Sequence, residues 1–194
     1  MTIRKYRPED KEAVKNICRA TAHKSYKKSQ KTLEAAVILY NDYYTEKEPE
    51  NIFVAANEND EAIGYILCSS DEKMFLKEMK TTYKKRLAGV CPSKNIEFVL
   101  ARVLTRFLPK KYRAHLHIDI LPDYQKMGLG TLLMDAEREH LFSLGVPYLT
   151  VLSIDVGSNG YRFYKKYGFK AVRSWLPNVK TMSITTARSK NENT

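Results

Sequence analysis

Cysteine is scarce in this chain: three residues among 194. Cys18, Cys68 and Cys91 lie far apart and are odd in number, a spacing that fits neither a disulfide framework nor a metal knuckle. A reducing, cytoplasmic setting with buried, inert thiols is the simplest expectation, and Cys91, beside Pro92, is the one expected near the surface. Long apolar runs are missing too. None approaches the roughly 18 residues of a membrane span, and the polar, charged N-terminus does not read as a secretory signal. No internal repeat or low-complexity linker interrupts the chain. What is present, 43% apolar and 28% charged residues over this length, suits one soluble domain with a substantial core.

Glycine is also sparse, yet two of the eight stand together in Gln125-Lys126-Met127-Gly128-Leu129-Gly130. The run before them, His115-Leu116-His117-Ile118-Asp119-Ile120, alternates as a half-buried strand should. After them, Leu132, Leu133, Ala136, Leu141 and Leu144 recur near helical spacing. A strand turning into a helix through two glycines leaves backbone N–H groups unpaired and aimed the same way. Glycine admits close approach and the helix dipole adds positive charge, so a pyrophosphate suits the turn. The loop lacks the Gly-Lys-Ser/Thr ending of a Walker loop. Leu133 stands where a dinucleotide fold has its third glycine, and the turn follows two or three earlier strands instead of opening the domain. A lone G-x-G also fits a tight turn without a ligand.

The rest of the chain alternates. Thr2 to Tyr6 reads as a strand, and Pro8, Glu9 and Asp10 open a helix whose apolar face is Val14, Ile17 and Cys18. A second helix spans Thr32 to Tyr44, with Leu33, Ala36, Val37 and Tyr40 inward. Ile52–Ala56 and Ala62–Ser69 form a hairpin around Asn57-Glu58-Asn59-Asp60. Beyond the glycine turn come a helix, a strand over Tyr148–Ile154, a short helix, and closing strands near Phe169–Trp175 and Lys180–Thr185. Residues 187–194 read as a disordered tail after a single domain of residues 1–186.

Residues 70–114 are too long for a simple loop and should carry their own structure. Leu76, Met79, Tyr83 and Leu87 are spaced as one helix face. Ile96, Val99, Leu100, Val103, Leu104 and Phe107 make a second, stronger one. Charge concentrates here: residues 73–113 hold twelve Lys or Arg against Glu78 and Glu97, in a chain of net charge +11. Such a run is either a solvated face or a positive lid beside the site, drawing in cofactor phosphates or an acidic substrate. Nucleic acid is the less favoured partner, since few aromatics interleave with the basic residues and no binding motif is present.

Gln125 to Gly130 resembles the Q/R-x-x-G-x-G/A signature of the GNAT acetyltransferases. Phe163-Tyr164-Lys165-Lys166-Tyr167-Gly168-Phe169 is similar to that family's aromatic-Tyr-x-x-x-Gly-Phe segment, and the two motifs occur in the family's order. The resemblance covers about residues 1–185 and is poorest in the middle, where the family's simplest pattern has only a short turn. It implies a mixed α/β fold: a central, mostly antiparallel, splayed sheet of six or seven strands flanked by helices, here with a helical insertion before the cofactor-binding strand. It further implies an N-acetyltransferase that moves the acetyl group of acetyl-CoA to a primary amine by direct attack.

By the same resemblance, free backbone groups near Ile118, Asp119 and Ile120 would pair with the pantetheine arm. Gln125 and Lys126, with the amides of Met127, Gly128, Leu129, Gly130 and Thr131, would hold the pyrophosphate. Tyr164 is the expected general acid, against the plain reading of an aromatic packed beside Phe163 and Tyr167. Asn159 either touches the pantetheine or, with Ser158, caps the helix. His115, His117 and Asp119 share one face of their strand. A histidine near a carboxylate is poised to accept an amine proton, so Asp119 is the first candidate base and His117 the second. Three donors on one extended strand seldom converge on a metal, and no metal is expected. A hydrogen-bonded structural network explains the cluster equally well.

The segment from His115 to Asp119 with Leu121-Pro122 also resembles the acetyltransferase-like domain at the C-terminal end of O-GlcNAcases and its stand-alone bacterial relatives. Such domains include acetyl-CoA-binding modules without efficient transfer, the rival expectation here. The acceptor amine is left open, small molecule or protein, as is a homodimer; no membrane partner is expected.

Overall fold

The computed structural model describes residues 1–96, 99, 103 and 106–187. Its strands are β1 (Thr2–Lys5), β2 (Ile52–Ala56), β3 (Ala62–Ser69), β4 (His115–Ile120), β5 (Tyr148–Asp155), β6 (Lys170–Leu176) and β7 (Val179–Thr185). They form one seven-stranded sheet in the order β1-β2-β3-β4-β5-β7-β6. All neighbours run antiparallel except β4 and β5.

That parallel pair governs everything that follows. β4 and β5 meet only at His115 and Thr150, close to the N-terminal ends of both strands. Beyond His115, β4 remains paired with β3 through Gly64 opposite Ile120, while its other edge is open. The Leu121 amide donates to Ile63 on β3, and antiparallel pairing alternates the direction of backbone groups. Odd residues therefore turn their backbone toward β3, and Ile118 and Ile120 turn theirs into the gap.

Helices cover both faces. On one lie α1 (Lys11–Thr21), α2 (Gln30–Val37) and α3 (Tyr43–Lys47), with α4 (Glu72–Glu78) and α5 (Lys84–Val90) from the insertion. On the other lies α6 (Leu129–Ser143), followed after β5 by α7 (Asn159–Tyr167). Ser29 caps α2 by accepting from the Thr32 amide, an arrangement worth about 1 kcal/mol.

The helix expected over Thr32–Tyr44 is interrupted by a π turn at Ile38–Asp42. The extra residue per turn resets the inward face, so Tyr43 and Tyr44 are both fully buried while Tyr40 is only partly so. A second π turn, Met79–Tyr83, joins α4 to α5. Phe75, Met79, Tyr83 and Leu87 are buried there, and Leu76 packs at their edge.

Two expectations need correction. Cys91 is buried like Cys18 and Cys68, because the turn after α5 folds back onto the core. The described residues of the apolar face beginning at Ile96 are not buried. Ile96, Val99, Val103 and Phe107 are exposed, and Leu108 is buried. Leu100, Leu104 and the tail residues 188–194 lie outside the described residues.

Candidate active site

The strand-to-helix turn forms as its glycines require. The Gln125 side chain donates from Nε2 to the Ile120 carbonyl at 2.9 Å, tying the loop to the end of β4. Lys126 and Gly128 both take left-handed backbone angles, φ +64 and +83. A side chain at Gly128 would meet no neighbour, so the demand for glycine is conformational, about 1–2 kcal/mol. Leu129 and Gly130 open α6, where no preceding helical carbonyl is available to their amides. The Thr131 amide, expected among the phosphate donors, instead bonds the Gly128 carbonyl at 3.0 Å. That leaves the amides of Met127 to Gly130 as candidate donors, at the positive end of a fifteen-residue helix and beside the exposed Lys126. This cradle fits a pyrophosphate.

Gly130 answers a different demand. A Cβ there would sit 3.2 Å from the Phe163 ring and 3.7 Å from Ile120 Cδ1. The two sequence motifs, more than thirty residues apart, therefore touch at this point. Phe163 packs edge-on against Tyr164, and Tyr167 donates to Asp135 on α6 at 2.6 Å, locking α7 onto α6. Gly168, at φ +112, ends α7 and turns Phe169 back under Tyr164. Gly160 lets α7 approach β5, since a Cβ there would lie 3.2 Å from Ile154 Cδ1.

Tyr164 is 6% exposed and sits among apolar side chains. Burial first, and then the Asp119 charge, raise its pKa, so its hydroxyl stays protonated. Although the two residues belong to opposite layers of the fold, they lie within electrostatic reach of each other beside the gap. Asn159 is exposed at the start of α7 and accepts from the Arg162 guanidinium. Capping falls to Ser158, whose hydroxyl accepts from the Tyr161 amide at 3.0 Å.

The odd-numbered face of β4 points to α1–α4. His115 is fully buried against Phe75 and Tyr44, with Nδ1 near the Arg113 carbonyl and Nε2 without a partner. His117 lies against Tyr40 and Tyr44 and keeps some exposure. Enclosure, then the neighbouring His115, push it down to about 3. The expected near-neutral histidine beside a carboxylate is absent: His117 is held neutral, and Asp119 pairs with a tyrosine instead. Tyr65 on β3 donates to Asp119 Oδ2 at 2.6 Å. Burial raises the Asp119 carboxyl to about 6, with the hydrogen bonds of Tyr65 and Thr21 opposing the rise. Tyr65 was not foreseen, because every residue of β3 is buried and alternation cannot reveal which face matters.

The insertion reaches both sides of this region. Lys94 stands over the Tyr26 ring at 4.1 Å, Tyr26 and Tyr40 share a hydroxyl contact of 3.1 Å, and Arg173 on β6 donates to the Phe107 carbonyl. Five of its described cations gather at one end of β4. Lys73, Arg106, Lys110, Lys111 and Arg113 line a cavity of about 710 Å³ with Gly145 to Pro147, before the start of β5. That is the opposite end of β4 from Gly128.

A family model, acetyltransferase (GNAT) family, matches residues 13–169. The chain belongs to the GNAT acetyltransferase family. Among solved GNAT-like structures, SsHAT is 28% identical with a TM-score of 0.83, covering 96% of this chain and 98% of its own. YncA from Salmonella typhimurium, solved with its cofactor acetyl-CoA, is 14% identical with a TM-score of 0.59, covering 97% and 95%. An aminoglycoside 6'-N-acetyltransferase complexed with coenzyme A is 15% identical with a TM-score of 0.58, covering 97% and 99%. The last two share the fold alone. No curated protein matches the chain. The seven-stranded, mostly antiparallel sheet flanked by helices is the GNAT fold expected from the motifs. Among the described residues no helix is long and apolar enough to cross a membrane.

Proposed function

We propose that this GNAT protein is an N-acetyltransferase that moves the acetyl group of acetyl-CoA to a primary amine. One observation carries the reading: Gly130 and Phe163 meet beside the unpaired edge of β4, so the phosphate cradle, an open strand edge and a buried tyrosine border one gap. Acetyl-CoA, when bound, supplies a thioester reactive toward a neutral amine.

The chain's own residues divide the remaining work. Amides of Met127 to Gly130, with Lys126 adjacent, hold the pyrophosphate. The Ile118 amide and carbonyl and the Ile120 amide pair with the pantetheine arm; the Ile120 carbonyl is already engaged by Gln125. Asn159, at the mouth of the gap, contributes from the start of α7. Asp119 receives the amine proton at Oδ1, and Tyr164 gives its hydroxyl proton to the departing sulfur. His117, neutral throughout the working range, shapes the acceptor side with Tyr40 and Tyr44. The acceptor is a small-molecule or protein amine.

Calorimetric titration with acetyl-CoA, of the wild type and of a Gly128→Glu/Gly130→Glu variant, tests the cradle. Wild-type binding that falls at least 100-fold in the variant is expected, because two carboxylates then occupy the pyrophosphate position. No binding by wild type ends the reading. Binding without release of CoA to any amine leaves a cofactor-binding module.

A further inference from the structure

Tyr65 is directly opposite Asp119 in the β3–β4 register and has no exposed surface. Its neighbours along the strand, Gly64, Ile66 and Leu67, are apolar and buried like it. A hydroxyl in such a place needs a partner, and this one donates to Asp119 Oδ2 at 2.6 Å. The Cys18 thiol lies beside it as a weaker neighbour. Asp119 is only partly covered. Tyr65 therefore fixes Oδ2 from inside the sheet, with the Thr21 hydroxyl of α1 a second hydrogen-bonding neighbour, while the carboxylate keeps part of its surface exposed.

We infer that Tyr65 is a positioning residue for proton transfer: it clamps Asp119 Oδ2 and so presents Oδ1 to the acceptor amine. The inference rests on the reading of Asp119 as the base. Burial raises the Tyr65 phenol well above its ordinary range, so it remains a donor whatever state Asp119 is in. The ionisable groups around Asp119 are Tyr65 from β3, Cys18 from α1, His117 from its own strand and Tyr164 from α7, with Arg19 and Asp42 further out beside Cys18. Cys18 is pushed up to about 12 and His117 down to about 3. Neither changes charge between pH 5 and 8, so a titration near 6 in this cluster belongs to Asp119.

Tyr65→Phe removes the hydroxyl and keeps the ring that fills the core. With a donor to its charged form gone, Asp119 should bind its proton about tenfold more tightly. The carboxyl signal of 13C-labelled protein, followed by NMR without acetyl-CoA, should titrate at correspondingly higher pH. The acid limb of kcat/KM should move with it, and KM for acetyl-CoA should hold. Incorporating 3-fluorotyrosine in place of Tyr65, a stronger donor of the same shape, should move both in the opposite direction and does not depend on Tyr65→Phe folding. If neither replacement moves the titration or the limb, Tyr65 only packs and the inference is overturned by itself. If the NMR titration moves but Asp119→Asn keeps its rate, the base assignment has failed and takes the inference with it.

Discussion

Asp119 and Glu137, on opposite faces of the sheet, are both carboxyl groups raised well above the usual carboxylate range, and the two have different surroundings. On the α1–α3 face, Asp119 sits at about 6, partly exposed, with a hydrogen bond from Tyr65. On the α6 face, Glu137 sits at about 8, has no exposed surface, and has the weak donor of the Cys68 thiol beside it. Glu137 is the more perturbed and the less useful, because no amine can reach it through α6 and β3. A raised pKa records removal from water, whether or not a substrate can take the water's place. What distinguishes Asp119 is that it keeps some exposure, on a strand whose edge toward β5 is unpaired past His115, whereas Glu137 has none.

The sharpest way to break this comparison is Asp119→Asn, which keeps shape and an acceptor for Tyr65. The rate kcat should fall about 100-fold or more, the usual loss with a general base. In wild type the base works ionised, so activity should be lost as pH falls through about 6. The variant should lack that limb. An unchanged rate and profile, measured by CoA release, would put Asp119 beside Glu137 as a merely buried acid.

Tyr164→Phe comes next in size. A thiolate leaves readily, so the missing proton should lower kcat by about tenfold, with acetyl-CoA affinity held within about twofold by calorimetry. The ring still fills its place between Phe163 and Phe169. A rate equal to wild type would make Tyr164 a packing residue, as aromatics at helical spacing generally are.

These residues were legible in the sequence to different degrees, and the physical reason is locality. Gly128 and Gly130 answer demands of backbone conformation and close approach, which force a residue type at a position. The Phe163–Phe169 segment could be matched for the same reason, since Gly168 has to end α7 in a left-handed turn. Asp119 stood out because β4 alternates. Its partner Tyr65 did not, on a strand buried along its whole length. The π turn that brings Tyr43 and Tyr44 inward leaves no mark in a 3.6-residue pattern. In the insertion, Ile96, Val99 and Val103 have helical spacing, but spacing tells which residues share a face and says nothing of what covers it. The lysines there likewise declared their charge but not which end of β4 they would surround.

Glu137→Gln should have the smallest effect on catalysis, under about twofold in kcat, and its signature lies in stability instead. The carboxyl is raised on folding, so the native state binds the proton more tightly than the unfolded chain. Stability from this group is full below the unfolded value near 4.5 and is lost as pH rises toward about 8. Lys5, the neighbouring cation that opposes the rise, recovers part of this loss. Glutamine fills nearly the same volume and does not titrate. Thermal unfolding should therefore show the variant gaining on the wild type between pH 5 and pH 9, by a difference on the order of 1–3 kcal/mol. A gap that stays constant across that range would mean the Glu137 charge is solvated in the folded protein. The two faces of the sheet would then differ less in access than their burial indicates, and Asp119 would need a reason other than the open edge of β4 to be the one that reacts.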